Sequence, residues 1–135
     1  MNKSMVVFRL FILLGLFYLS GCEKQTIQQN GALEGNILIG PICPVETYPP
    51  DPGCLPTIET YKAFPVYIWT SDGSNKTLIS PALDGSFKIE LKPGDYYLTL
   101  EKEQDGIGKS NLPMEVSINP IGKTIIKIEI DTGIR

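Results

Sequence analysis

The residue types that could do chemistry are few. The chain has 135 residues and no histidine, so Ser-His-Asp and Cys-His nucleophile arrangements and every histidine-ligated metal site are excluded. The Ser-x-x-Lys pattern of one serine-lysine nucleophile arrangement does not occur. Gly108-Lys109-Ser110 ends like a phosphate-binding loop, but the glycine needed five positions earlier is Glu103 and no strand-to-helix context follows, so it reads as a polar loop. Asp84 with Glu90, or Glu101 with Glu103 and Asp105, could be imagined as acid-base pairs. Each falls on a wet strand face or in a loop, where a carboxylate is simply solvated charge. Asp72, Ser74 and Asn75 supply fewer oxygens than a calcium ion takes. The expectation is no catalytic residue, no metal and no cofactor.

The cysteines say more. Lys3 and Arg9 precede an apolar run from Leu10 to Leu19. Ten residues span only about 15 Å as a helix, against about 30 Å of hydrocarbon, so the run is too short to cross a bilayer and has the order of a secretory signal. The tetrapeptide that follows, Leu19-Ser20-Gly21-Cys22, resembles the bacterial lipobox. That resemblance implies a diacylglyceryl group on the Cys22 thiol and cleavage before it, with residues 1–21 as a lipoprotein signal peptide. Two or three acyl chains suffice for stable anchoring, since each buried methylene contributes about 0.8 kcal/mol. The chain would be extracytoplasmic and held to a bacterial membrane through Cys22. Residues 22–33 are polar, lack an apolar period and read as a flexible tether.

Cleavage would remove Lys3 and Arg9 from a total of 12 basic residues and leave all 15 acidic ones, a net charge of minus five. Such a surface repels phosphate backbones and excludes nucleic acid as a partner. On the oxidising side of a membrane the two remaining cysteines, Cys43 and Cys54, are expected to pair. They close the segment Pro41 to Pro56, which holds six of the eleven prolines. A two-thiolate metal site or a redox pair is the competing reading, and neither ligand count nor spacing supports it.

The elements that must carry these residues are strands. From residue 34 to 135 short β-branched and aromatic runs alternate with turn residues, the pattern of a single all-β domain. Strands are expected near 35–39, 63–70, 76–80, 86–91, 95–102, 114–118 and 123–131, and no stretch carries a helical apolar stripe. Phe87, Ile89 and Leu91 alternate with Ser86, Lys88 and Glu90; Tyr96, Leu98 and Leu100, then Val116 and Ile118, then Ile126, Ile128 and Ile130 behave alike. One face is dry and one wet, as in an antiparallel sandwich. Ser71 to Asn75 and Asp84-Gly85 read as turns, and Lys92-Pro93-Gly94-Asp95 as a type II turn.

The run Leu83 to Leu100, with Asp84-Gly85-Ser86-Phe87 and Leu91-Lys92-Pro93-Gly94-Asp95-Tyr96, resembles carboxypeptidase regulatory-like domains, and collagen-adhesin repeats of the Cna-B type are similar. Pro65 to Gly73 fits the first large strand and turn of such domains. The resemblance covers residues 63–131 and implies a seven-stranded antiparallel prealbumin-like (Ig-like) β-sandwich behind the signal helix. It implies no peptidase activity, because there is no room for a catalytic domain. The first strand also holds no lysine for an isopeptide of the Cna-B kind.

The remaining candidates are aromatic. If Val66 and Ile68 point inward, Tyr67 and Trp69 point outward, and so does Tyr97. These three are expected either to be covered by the proline-rich loop or a sheet edge, or to form a binding surface. The expected role is a structural or protein-binding module at the cell envelope without catalysis. Its alternative is a glycan-binding module using the same aromatics.

Overall fold

The computed structural model describes residues 29–45, 47–101 and 109–135. The expected signal segment, Cys22, residues 22–28 of the expected tether, Glu103, Asp105 and Gly108 lie outside them. Among the described residues seven strands form two sheets: β1 (Gly31–Gly40), β2 (Val66–Thr70), β3 (Lys76–Ile79), β4 (Ser86–Leu91), β5 (Gly94–Leu100), β6 (Met114–Ile118) and β7 (Lys123–Asp131). One sheet has the order β4-β1-β7 and the other β3-β2-β5-β6.

The expected alternation places the core. Leu33, Ile37 and Ile39 of β1, Val66 and Ile68 of β2, Phe87, Leu98, Val116, Ile118, Ile128 and Ile130 are all buried, while Ser86, Lys88 and Glu90 are exposed. Gly35 permits one close approach. A Cβ there would lie 2.7 Å from the Phe87 ring and 2.5 Å from the Ile126 carbonyl oxygen, so the Phe87 ring packs directly on the β1 backbone.

Four expectations need correction. The sandwich is not wholly antiparallel, because β1 pairs with β7 in parallel from Ala32↔Lys123 to Gly40↔Asp131. The chain's first and last strands meet side by side, and no hairpin constrains their direction. Secondly, β1 begins at Gly31, so residues 31–33, expected in the tether, belong to the sheet, and Leu33 is completely buried. Thirdly, a helix, α1 (Ile58–Ala63), forms where no helix was expected; it ends on Ala63, the residue expected to open the second strand, which begins only at Val66. Thr57 caps it: its Oγ1 accepts from the Thr60 N–H while Thr60 Oγ1 accepts from the Thr57 N–H. At six residues it is shorter than two turns, so no apolar stripe announces it, yet Tyr61 inserts into the core. Finally, Lys92–Pro93 does not make a type II turn. Gly94 has φ 150° and already pairs with Ile118, because the chain crosses from one sheet to the other here rather than reversing within one.

The Asp84–Gly85 turn does form. The Gly85 N–H donates to the Ala82 carbonyl, and Asp84 Oδ1 accepts from the N–H and hydroxyl of Ser86. At β7, Asn111 serves as a substitute strand: its side-chain amide donates to the Lys127 carbonyl and its Oδ1 accepts from the Glu129 N–H. That covers a sheet edge which would otherwise be open to pairing.

Cys43 and Cys54 form a disulfide with their Cα atoms 5.4 Å apart. The chain-entropy account assigns closure of this loop about 3 kcal/mol. Titration of the native protein without reductant is expected to find no free thiol at these positions. Reduction should lower the unfolding free energy by about that amount, measured by denaturant melts with and without a phosphine reductant.

Several carboxylates are held ionised by their partners. Lys123 and then Lys88, each 3.2 Å away, hold Glu34 below its ordinary value. Hydrogen bonds from Thr70 and then Ser74 pull Asp72 down to about 2, and the Arg135 guanidinium does the same for Asp131. Ser86 lowers Asp84. A carboxylate with a depressed folded value contributes stability at neutral pH that is lost as pH falls through the gap between its unfolded and folded values. The urea midpoint is therefore expected to decline between about pH 4 and pH 2 and to stay level from about pH 5 to 8, where a chain without histidine has no side chain of ordinary value to titrate.

Candidate aromatic face

The three outward aromatics come together on the wet side of the four-stranded sheet. The Ser71–Asn75 hairpin sets the first register, aligning Trp69 with Lys76 and Tyr67 with Leu78. Its tip is tied by Asp72 Oδ1, which accepts from the hydroxyl of Thr70 and from both the N–H and hydroxyl of Ser74. Asp72 Oδ1 and the Ser74 hydroxyl are thus engaged within the turn, where the Asn75 side-chain amide also donates to Ser74 Oγ. On the other flank of β2, Trp69 aligns with Tyr97 and Tyr67 with Thr99. Tyr97 in turn aligns with Glu115 of β6. A row Lys76–Trp69–Tyr97–Glu115 crosses all four strands, with Leu78–Tyr67–Thr99 beside it.

The side chains interlock. The Trp69 and Tyr97 rings are parallel within 1° and 6.0 Å apart between centroids. The Trp69 indole N–H donates to Thr99 Oγ1 at 2.9 Å, which fixes the ring across β5. Lys76 Nζ stands 4.3 Å from the Tyr67 ring centroid and 5.4 Å from that of Trp69, within cation–π range. Glu101 ties the cluster from the far end, accepting from the Tyr67 hydroxyl at 3.4 Å and lying 3.8 Å from Lys76 Nζ. Tyr67, Trp69 and Tyr97 are half-buried as a result. Part of their cover comes from one another and from Lys76. Next to Tyr97 a shallow depression of about 330 Å³ is lined by Ser71, Asp95, Glu115 and Ser117, and the Ser117 hydroxyl donates to Asp95 at 2.5 Å.

The described residues of this face present aromatic rings framed by charged and hydroxyl groups. The Ser117–Asp95 pair lies exposed, and among the described residues no third group is hydrogen-bonded to it as an activated nucleophile needs. Asp84 and Glu90 do not meet: one caps a turn, and the other, on β4, aligns with Ala32 of β1. Lys109 and Ser110 dock on β7, where the Lys109 carbonyl accepts from the Asp131 N–H. Among the described residues no group of three His, Cys, Asp or Glu could hold a metal ion. No described helix is long and apolar enough to cross a membrane.

The sequence does not single out Lys76, Thr99 or Glu115, and it offers Glu101 only as a carboxylate beside Glu103 and Asp105. The hairpin could have pointed to Lys76, since a turn closed between Thr70 and Asn75 must align residue 69 with 76. Nothing local points to Thr99 or Glu115, which become neighbours only when β5 enters the sheet.

No protein-family model and no curated protein matches the chain. Solved structures do resemble it. A minor pilin of Streptococcus agalactiae superposes with a TM-score of 0.50 at 17% identity over 78% of this chain and 45% of the pilin. A DUF3823 family protein of Parabacteroides merdae gives 0.45 at 19% identity over 75% of this chain and 45% of its own. One of Bacteroides ovatus gives 0.44 at 16% identity over 75% and 44%. The chain thus spans less than half the length of each. At these identities the likeness to the pilin concerns the fold alone, a two-sheet β-sandwich of the kind the prealbumin-like resemblance implies.

Proposed function

We propose that this chain is a lipid-anchored, extracytoplasmic, non-catalytic β-sandwich module that docks an envelope protein on the outer face of its four-stranded sheet. The observation that carries the reading is the interlocked row Tyr67, Trp69 and Tyr97, with Lys76, Glu101 and Glu115 around it. Rigid aromatics framed by charges on a flat surface are the composition of protein-binding hot spots. The anchor rests on Leu19-Ser20-Gly21-Cys22 behind the apolar run, and the Cys43–Cys54 disulfide fits a chain that leaves the cytoplasm. The Asp84–Leu100 pattern supports kinship with the non-catalytic accessory modules of the carboxypeptidase regulatory-like kind.

Glycan binding is the second reading, favoured by the parallel Trp69 and Tyr97 rings. The Lys76 ammonium already stands over two of the three rings, where a sugar would stack, and so weighs toward a protein. Two measurements separate the readings. Photo-crosslinking from position 97 in intact envelopes is expected to yield one discrete protein adduct that Trp69→Ala abolishes. Cell-wall oligosaccharides are expected to leave the emission of Trp69, the sole tryptophan, unchanged. A saturable sugar-dependent emission change with no protein adduct would replace the first reading by the second. For the anchor, mass spectrometry of the mature N-terminal peptide is expected to show acylated Cys22, and an unmodified cysteine or cleavage at another bond would end the lipoprotein assignment.

A further inference from the structure

Strand direction gives the sandwich two unlike ends. Gly31 opens β1 and aligns with Leu91, the last residue of β4; Gly94, the first of β5, aligns with Ile118, the last of β6. Ala32 aligns with Lys123 at the start of β7, and Thr70 with Tyr96. The end where the chain enters at Gly31 therefore carries three turns: Ser71–Asn75, Lys92–Pro93 and Asn119–Gly122. The described residues of segments 41–65, 80–85 and 132–135, with the disulfide and α1, lie at the opposite end.

The Asn119–Gly122 turn touches the entry point itself. The Ala32 N–H donates to the Gly122 carbonyl at 3.4 Å, and Gly31 lies so close to the Asn119 carbonyl that a Cβ there would overlap it. At its tip Ile121 is 79% exposed. A single exposed isoleucine is ordinary on a protein surface. What distinguishes this one is its position beside the start of the fold.

Only eight residues, 23–30, separate Cys22 from Gly31. Covalent geometry limits the nine steps from Cys22 to Gly31 to roughly 30–32 Å at full extension, no longer than β1, whose ten residues span about 33 Å. Resting on the lipid anchor proposed above, we infer that the sandwich stands end-on at the bilayer with the Asn119–Gly122 turn seated in the headgroup layer and Ile121 as its apolar contact. Lys92 and Lys123 flank this end, and Asp72 and Asp95 offset them, so the contact draws on apolar insertion more than on charge. The disulfide-bonded loop, with Tyr48 98% exposed, then faces away from the membrane.

The test uses the acylated protein reconstituted in phosphatidylcholine and phosphatidylglycerol vesicles. Because Cys22 carries lipid and Cys43–Cys54 is closed, a thiol-reactive fluorophore labels only a new cysteine, placed by Ile121→Cys or, at the far end, by Tyr48→Cys. Headgroup spin-labelled lipid is expected to quench the probe at 121 roughly threefold or more beyond the probe at 48, as shallow burial of the turn requires. Aqueous iodide should show the opposite order, and added salt should change neither. Equal quenching at the two positions, with 121 open to iodide, would overturn the end-on seating. Intact mass of the N-terminal peptide is read on the same sample. Acylated Cys22 with an unquenched 121 sinks this inference alone, whereas unacylated Cys22 sinks the anchor and this inference with it.

Discussion

Phe87→Ala is expected to lower the unfolding free energy by about 3 to 5 kcal/mol, as removal of a well-packed aromatic does when its surroundings cannot collapse into the space. Phe87 is buried on β4, and its ring lies against the Gly35 backbone of β1, which has no side chain to swing into a vacancy. A loss of that size is a large share of the stability of a domain this small. The comparison lies on the same strand. Lys88 and Glu90 are exposed, and Lys88 contributes one of two ammonium groups held by Glu34. Lys88→Ala should therefore cost at most about 1 kcal/mol and Glu90→Ala under about 0.5 kcal/mol. Urea melts of the three variants decide the matter. If Lys88→Ala matched Phe87→Ala, the facing of β4 and the core built on it would be wrong.

Gly85→Val should be nearly as damaging, about 3 kcal/mol or more, for two reasons acting together. Gly85 has φ 81°, a conformation that a β-branched residue adopts only under strain. Its position also has no room, since a Cβ would overlap the Ile37 carbonyl oxygen and approach the Tyr61 hydroxyl to 3.1 Å. That carbonyl cannot retreat cheaply: the Ile37 N–H donates to the Gly85 carbonyl at 2.9 Å, and Asn36 Nδ2 donates to the Asp84 carbonyl at 2.9 Å, binding the turn to β1. Gly73→Val in the Ser71–Asn75 hairpin is the control. It shares a positive φ of 69°, but the nearest atom to its Cβ is the Tyr97 hydroxyl at 3.5 Å, so only the backbone strain applies and the loss should be smaller. Equal melts for the two variants would remove close packing as the reason for glycine at 85.

The same pairs of residues show what could be read early. Phe87 against Lys88, or Leu98 against Tyr97, sort by a period of two, which depends only on each strand having one wet and one dry side. The Asp84–Gly85 turn was legible because its residue types suit a tight reversal. The helix Ile58–Ala63 was missed because six residues hold too little periodicity to display, and Gly94 was assigned to the wrong turn because proline-glycine chemistry does not reveal whether a chain reverses within a sheet or crosses between two. Outward placement of Tyr67, Trp69 and Tyr97 followed from alternation. Their contact did not, since Trp69 and Tyr97 lie far apart in sequence and meet only through the β2–β5 register.

By itself the sequence determined which side chains each strand buries, that no histidine-based chemistry is open to the chain, and that Cys43 and Cys54 are natural partners. Tertiary structure alone decided that β1 lies between β4 and β7 and runs parallel to β7, that Trp69 is flanked by Lys76 and Tyr97, and that the Asn119–Gly122 turn sits beside Gly31. The physical reason is that alternation records a strand's relation to water, which is local. Strand neighbours are joined by main-chain hydrogen bonds that every sequence can make, and the choice among them is set by closing two sheets over one shared core.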